Sequence, residues 1–136
     1  MVTRKALTFF TVVMLLSMSA TIVSADVDIN LSANPSSAEA TADEAAEYTI
    51  IVQNSGSDDA AVTLSTQQGD DCSGFSSTLE TTFVQVSSSS SESVTLTVTV
   101  TEQASGECET TVNAQGQVSG GAPGAPSNAD VTVVTT

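Results

Sequence analysis

The chain has 136 residues with sixteen carboxylates, two basic residues and no histidine, so its net charge at pH 7 is −14. Both basic residues, Arg4 and Lys5, lie near the N-terminus, and residues 26–136 contain no positively charged side chain. This composition argues against binding to nucleic acid or anionic lipid, because residues 26–136 cannot neutralise a polyanion. It also excludes catalytic pairs of serine with histidine or lysine in that part of the chain.

Residues 1–25 have the pattern of a secretory signal peptide. A largely apolar stretch follows the two basic residues, and Val23-Ser24-Ala25 supplies the small residues that signal peptidase requires. Cleavage is expected before Asp26, which leaves residues 26–136 as one secreted domain with no membrane contact. The alternative is a retained anchor, because about 18 mostly apolar residues could just span a bilayer.

Asp26 to Ala33 is the first predicted strand, because apolar and polar residues alternate along it. Val27, Ile29 and Leu31 lie on its apolar face. Asn30 lies on the polar face and begins the triplet N-L-S, the only N-glycosylation sequon of the chain; its occupancy stays open.

The next stretch, residues 34–47, is rich in Ala and Glu and has few large apolar residues. We expect a flexible tether there, although a serine cap would also permit a short helix. A second flexible tether is predicted at residues 116–127, where glycine and proline accumulate.

The most regular alternation runs from Ser93 to Thr101, where valine and leucine alternate with serine and threonine. That pattern predicts a strand with one buried and one solvated face. Similar short runs, separated by turn residues, are predicted as strands at 48–54, 60–66, 83–86, 107–114 and 128–136. Such a series predicts an all-β fold, a single antiparallel Ig-like β-sandwich of about seven strands.

Cys72 and Cys108 are the only cysteines. An even pair in a secreted chain predicts a disulfide. A redox or metal-binding thiol site is the alternative, but the chain has no histidine and no C-x-x-C motif to supply further ligands.

No catalytic, metal-binding or cofactor-binding residue is predicted. The adjacent pairs Asp58-Asp59 and Asp70-Asp71 could bind calcium weakly, but they lack the alternating spacing of a calcium loop. Asp70 and Asp71 could in principle perform acid–base chemistry, but adjacent carboxylates on an exposed turn more often maintain solubility. An enzyme is therefore not expected.

Aromatic residues are scarce, and residues 26–136 contain only Tyr48, Phe75 and Phe83. We expect all three rings to be in the core, with Phe83 or its neighbour Val84 turned inward. A sugar-binding platform of exposed rings is disfavoured on that basis.

Several segments together resemble the CARDB-type (cell-adhesion-related) Ig-like module of bacterial and archaeal surface proteins. The similar segments are Ala33-Asn34-Pro35, Tyr48 to Gly56, Ala61 to Ser65, Gly74-Phe75, Val94 to Val100, Ala104-Ser105-Gly106 and Asp130 to Val133. The two cysteines are not part of the common pattern, and Asp43-Glu44-Ala45 replaces its usual glycine. The resemblance implies an Ig-like fold with a structural, spacing or adhesive role.

Two functions are compatible with a single secreted module of this kind. In the first, copies assemble into an extracellular filament or surface coat by strand exchange, with Val27, Ile29 and Leu31 docking in a neighbour's groove. The C-terminal strand after residues 116–127 is the alternative donor, and without exchange both terminal strands would fold back into their own sandwich. In the second, the module is soluble and binds a cell-surface glycan or the S-layer. The first is preferred, because a solitary secreted module needs some means of attachment.

Overall fold

The computed structural model describes residues 26–121 and 124–136, so the predicted signal peptide lies outside the described residues. Nine strands are present there: β1 (Ile29–Asn34), β2 (Ser37–Ala38), β3 (Ala46–Asn54), β4 (Ala60–Gln68), β5 (Phe75–Leu79), β6 (Phe83–Val86), β7 (Ser90–Val100), β8 (Cys108–Val118) and β9 (Ser127–Thr135). No helix in this part of the chain is long and apolar enough to cross a membrane.

The strands form two sheets packed face to face, which confirms the predicted all-β Ig-like sandwich. The first sheet has the order β1-β3-β7-β5, and the second has the order β2-β9-β8-β4-β6. All pairings are antiparallel except the short parallel contact between β2 and β9. The regular alternation predicted at Ser93 to Thr101 lies in β7 up to Val100. β7 pairs with β3 and β5, and its Val94, Leu96 and Val98 are fully buried.

Tyr48 joins the two sheets through the core. Its ring is buried on β3, and its hydroxyl donates to the Val134 carbonyl at 2.9 Å and lies 2.7 Å from the Thr135 hydroxyl, both on β9. Because a buried hydroxyl requires a partner, these contacts fix the second sheet against the first.

Of the three aromatic residues expected in the core, Tyr48 and Phe75 are buried, but Phe83 is 51% exposed. The expectation was wrong for Phe83, because β6 turns Val84 and Val86 towards the core. Successive side chains of a strand point to opposite faces, so Phe83 and Gln85 point outward together.

Parts of both stretches predicted as tethers belong to strands. Within 34–47, strand β2 pairs with β9, Thr41 and Glu44 form a bridge, and the Ala40 N–H donates to the Thr136 carbonyl at 3.0 Å. Within 116–127, β8 continues to Val118 and β9 begins at Ser127. Both irregular stretches are shorter than predicted, because their ends pair with strands that are distant in the sequence. Composition does not reveal such pairing.

The Cys72–Cys108 disulfide is present, as predicted. It connects the segment after β4 to the first residue of β8, and Cys108 is fully buried. The two cysteines are 36 residues apart in sequence, so the bridge closes a large loop.

We expect reduction of this disulfide to lower the free energy of unfolding by about 3–4 kcal/mol, because the unfolded chain regains the entropy of an open loop. The measurement is urea-induced unfolding followed by circular dichroism, with and without a phosphine reductant. A Cys72→Ser/Cys108→Ser variant should show the same loss without reductant and no response to it. A loss below about 1 kcal/mol would contradict the expectation.

Candidate assembly site at the N-terminal strand

The N-terminal segment fills a groove between the two sheets of its own chain. Val27 and Ile29 are buried in the core, and Leu31 is half-buried against it. β1 is hydrogen-bonded to β3 in the first sheet and packs beside β9 of the second. The three residues predicted to form a donor strand are therefore seated in their own sandwich.

Gly116 on β8 provides the floor of this groove. A Cβ atom at that position would collide with Cγ1 of Ile29, so only glycine lets the isoleucine side chain reach its place. The fit between Ile29 and Gly116 gives the groove a specific shape for this strand, since close packing in a core is sensitive to single methyl groups.

The buried side chain of Asn54, the last residue of β3, connects the N-terminal segment to the sandwich. Its Oδ1 accepts hydrogen bonds from the N–H of Gly56 at 3.0 Å and of Asp28 at 3.3 Å. Its Nδ2 donates to the carbonyls of Asp58 at 2.7 Å and Val86 at 3.2 Å. One side chain thus holds the N-terminal segment, the 55–58 turn and the end of β6 together.

The segment before β1 lies directly on the turn after Asn54. The Ser55 N–H donates to the Asp28 carbonyl at 2.8 Å, and the Asp58 N–H donates to the Asp26 carbonyl at 3.0 Å. Gly56 is required where the turn contacts the N-terminal segment, because a Cβ atom at this position would overlap the backbone of residues 26–28.

Asn30, the predicted glycosylation residue, is exposed on β1. Its Nδ2, the atom to which a glycan would be attached, donates to the Ser55 hydroxyl at 3.2 Å. Its exposure leaves room for a glycan, and glycosylation stays a prediction.

The outer surface of the second sheet has one row of exposed side chains that crosses four strands. Phe83 on β6 is in register with Thr63 on β4, Thr63 with Gln115 on β8, and Gln115 with Asn128 on β9. Beside this row is a depression of about 370 Å³ whose lining also includes Ser65, Asn113 and Asp130. We call the row and the depression the polar face. It presents hydroxyl and amide groups, and the Asp130 carboxylate, next to one exposed ring.

A larger, acidic cleft of about 780 Å³ lies near the disulfide. Its lining includes four carboxylates, those of Asp70, Asp71, Glu107 and Glu109. In residues 26–121 and 124–136, no three Asp, Glu or Cys side chains are grouped closely enough to hold a metal ion. The aspartate pairs considered for weak calcium binding are therefore not assembled into such a group.

No family model matches the chain, and no curated protein matches its sequence. Its fold is similar to that of the PapD-like domain 7 of human CEP192, with a TM-score of 0.56, 14% identity and coverage of 78% of this chain and 83% of that domain. It is also similar to SSP-19, an MSP-domain-like protein of Caenorhabditis elegans, with a TM-score of 0.54, 16% identity and coverage of 77% and 98%. These similarities show a shared β-sandwich fold, and the CARDB-type assignment stays a prediction.

We expect Asn54→Ala to lower the free energy of unfolding by about 3 kcal/mol, because buried N–H and carbonyl groups lose their partners. The measurement is equilibrium unfolding in urea. Gln53→Ala, at the exposed neighbouring position, is the control and should change stability by less than about 0.5 kcal/mol. Equal effects of the two substitutions would contradict the central role of the Asn54 amide.

Proposed function

We propose that residues 26–136 form a secreted structural subunit that assembles with its own copies into an extracellular filament or surface coat by exchange of β1. The observation that carries the proposal is the groove itself, which is shaped by Gly116 and filled by a strand at the start of the domain. A neighbour's β1 has the same sequence, so it would make the same contacts in that groove. Exchange of an identical strand joins subunits through the same contacts that the strand makes within one chain.

The position of β1 makes it easier to release than the C-terminal strand. β1 is hydrogen-bonded to one strand, β3, at the edge of its sheet, and two residues separate it from β2 in the other sheet. By contrast, β9 lies between β8 and β2 and accepts the Tyr48 hydroxyl. Release of β1 leaves the remaining pairings intact, and a short connection between exchanged elements favours swapping.

The distribution of charge also supports packing between copies. Twelve of the sixteen carboxylates lie in the connections or ahead of β1, and only Glu47, Glu92, Glu109 and Asp130 lie within strands. Serine, threonine, asparagine and glutamine cover most of the outer faces. Copies can therefore approach through their sheets with little repulsion, although residues 26–136 have no basic side chain to offset their acids.

The proposal implies a non-catalytic protein outside the cell, whose main partner is a second copy of itself. The disulfide is consistent with an oxidising compartment. The resemblance to CARDB-type modules of surface proteins agrees with a structural or adhesive role.

Cysteine cross-linking between β1 and β3 tests strand exchange. Asn30 and Gln53 are exposed partners in register, and the only native cysteines are already bonded to each other. When the single variants Asn30→Cys and Gln53→Cys are mixed under assembly conditions and oxidised, we expect disulfide-linked dimers on non-reducing gels. In the double variant the new disulfide should hold β1 in its own chain and prevent polymers, which should return on mild reduction of that exposed bond.

The control pair is Thr63→Cys mixed with Gln115→Cys, on strands that are not exchanged. Mixtures of these variants should give no more disulfide-linked dimer than random collision between monomers produces. Polymers formed by the oxidised Asn30→Cys/Gln53→Cys double variant would contradict exchange of β1, and so would a sedimentation profile of pure monomer at all protein and salt concentrations.

A second candidate function, binding of a cell-surface glycan, is favoured by the exposed ring of Phe83. The ring lies beside Thr63 and Gln115 on the polar face, so an apolar surface adjoins hydroxyl and amide groups. A neutral saccharide offers matching apolar and hydroxyl surfaces. Acidic glycans would be repelled by the net charge of the chain.

We expect Phe83→Ser to weaken binding to a neutral oligosaccharide about tenfold, because the contact with the ring is lost. The measurement is titration calorimetry with sugars selected on an array of neutral glycans. Thr78→Ala, an exposed change on the other sheet, is the control and should bind as the unmodified protein does. If the protein binds no neutral glycan on the array, or if Phe83→Ser binds as tightly as the unmodified protein, this candidate is contradicted.

A further inference from the structure

The backbone nitrogen of Asp26 lies 2.7 Å from Oδ2 of Asp58, and the Asp58 N–H returns a hydrogen bond to the Asp26 carbonyl at 3.0 Å. Asp26 is also the residue before which the Val23-Ser24-Ala25 pattern predicts signal-peptidase cleavage. Cleavage converts this amide nitrogen into an α-ammonium group. We propose that Asp58 forms the binding site for that ammonium and that the resulting ion pair fixes the start of β1.

The ammonium would be the single cationic group of the processed chain. Residues 26–136 carry sixteen carboxylates and no lysine, arginine or histidine. Asp26 and Asp28 lie on the N-terminal segment and Asp58 and Asp59 follow the turn after β3, and backbone hydrogen bonds join these two stretches. The carboxylate of Asp59 also accepts the Ser88 N–H at 2.9 Å. The combined field of these aspartates favours a positive charge here more than a single carboxylate would.

Two contacts other than those with Asp26 help to position the carboxylate of Asp58. The Ser57 hydroxyl donates to the same Oδ2 at 3.2 Å, and Asn54 Nδ2 holds the Asp58 carbonyl at 2.7 Å. Asp58 is half-buried. A pre-positioned acceptor of this kind loses little side-chain entropy when the ion pair forms, which is the main cost of most surface pairs.

The processed and unprocessed chains would therefore differ in how firmly β1 is docked. Before cleavage, Asp26 offers a neutral N–H donor to Asp58. After cleavage, the donor carries a charge, and charge-assisted hydrogen bonds are stronger than neutral ones. The inference depends on the cleavage position and on the contacts of the single chain, so it holds whether or not copies exchange β1.

The test compares three forms of the chain, each with and without Asp58→Asn: one that begins at Asp26, the same chain acetylated at its α-amino group, and one that retains Ser24-Ala25. Urea unfolding of monomers at low salt gives the folding equilibrium constant of each. In the chain that begins at Asp26, we expect Asp58→Asn to reduce this constant about three- to fivefold. In the acetylated and extended chains the reduction should be less than about twofold.

If Asp58→Asn disturbs the turn, acetylation still tests the ion pair. Acetylation alone, with Asp58 unchanged, should reproduce most of the decrease in the folding equilibrium constant. The control is Asp43→Asn, an exposed change beyond the opposite end of β3, which should affect all three forms equally. About 1 M NaCl should remove the difference between the forms. Equal effects of Asp58→Asn in all forms, or a secreted protein whose intact mass shows a start other than Asp26, would overturn the proposal.

Discussion

The arrangement of the N-terminal half depends on one buried amide, the side chain of Asn54. It lies at the end of β3 with no exposed surface, and it satisfies backbone groups from three separate segments. A buried polar side chain is stable only when its donors and acceptors are paired, so these segments must arrive together. Because the Asp28 N–H is one of the partners, the same amide sets where β1 enters its groove.

The second constraint is a surface with acids and no basic side chains in residues 26–136. No ion pair between side chains can form there, so stability comes from the core, the disulfide and backbone pairing. Most carboxylates occupy the connections, where solvent and salt screen them. The strands carry only four carboxylates and mostly neutral polar side chains on their outer faces. Both proposed modes of contact, strand exchange and binding on the polar face, therefore use the sheets rather than the loops.

Much of the candidate site could be predicted from alternation alone. Val27 and Ile29 share the apolar face of the strand predicted at Asp26 to Ala33, and both are buried, although β1 itself begins at Ile29. The role of Asn54 was missed, although a signal exists: Tyr48, Ile50 and Val52 lie on one face, and the next residue on that face is Asn54. Phe83 was misplaced for a related reason, since Gln85 shares its face and indicates an outward direction.

The sequence by itself determined seven of the nine strands, the antiparallel sandwich and the Cys72–Cys108 bridge, because these follow from local periodicity and from the count of cysteines. Strands β2 and β5 have no such alternation of large apolar residues, and the sequence did not predict them. Only the tertiary structure decided that β1 lies in its own groove on Gly116, that β2 joins the other sheet, and that Phe83 belongs to the polar face. The physical reason is that alternation shows which residues share a face, but not which strand will pair beside them. That choice depends on contacts between segments far apart in the chain.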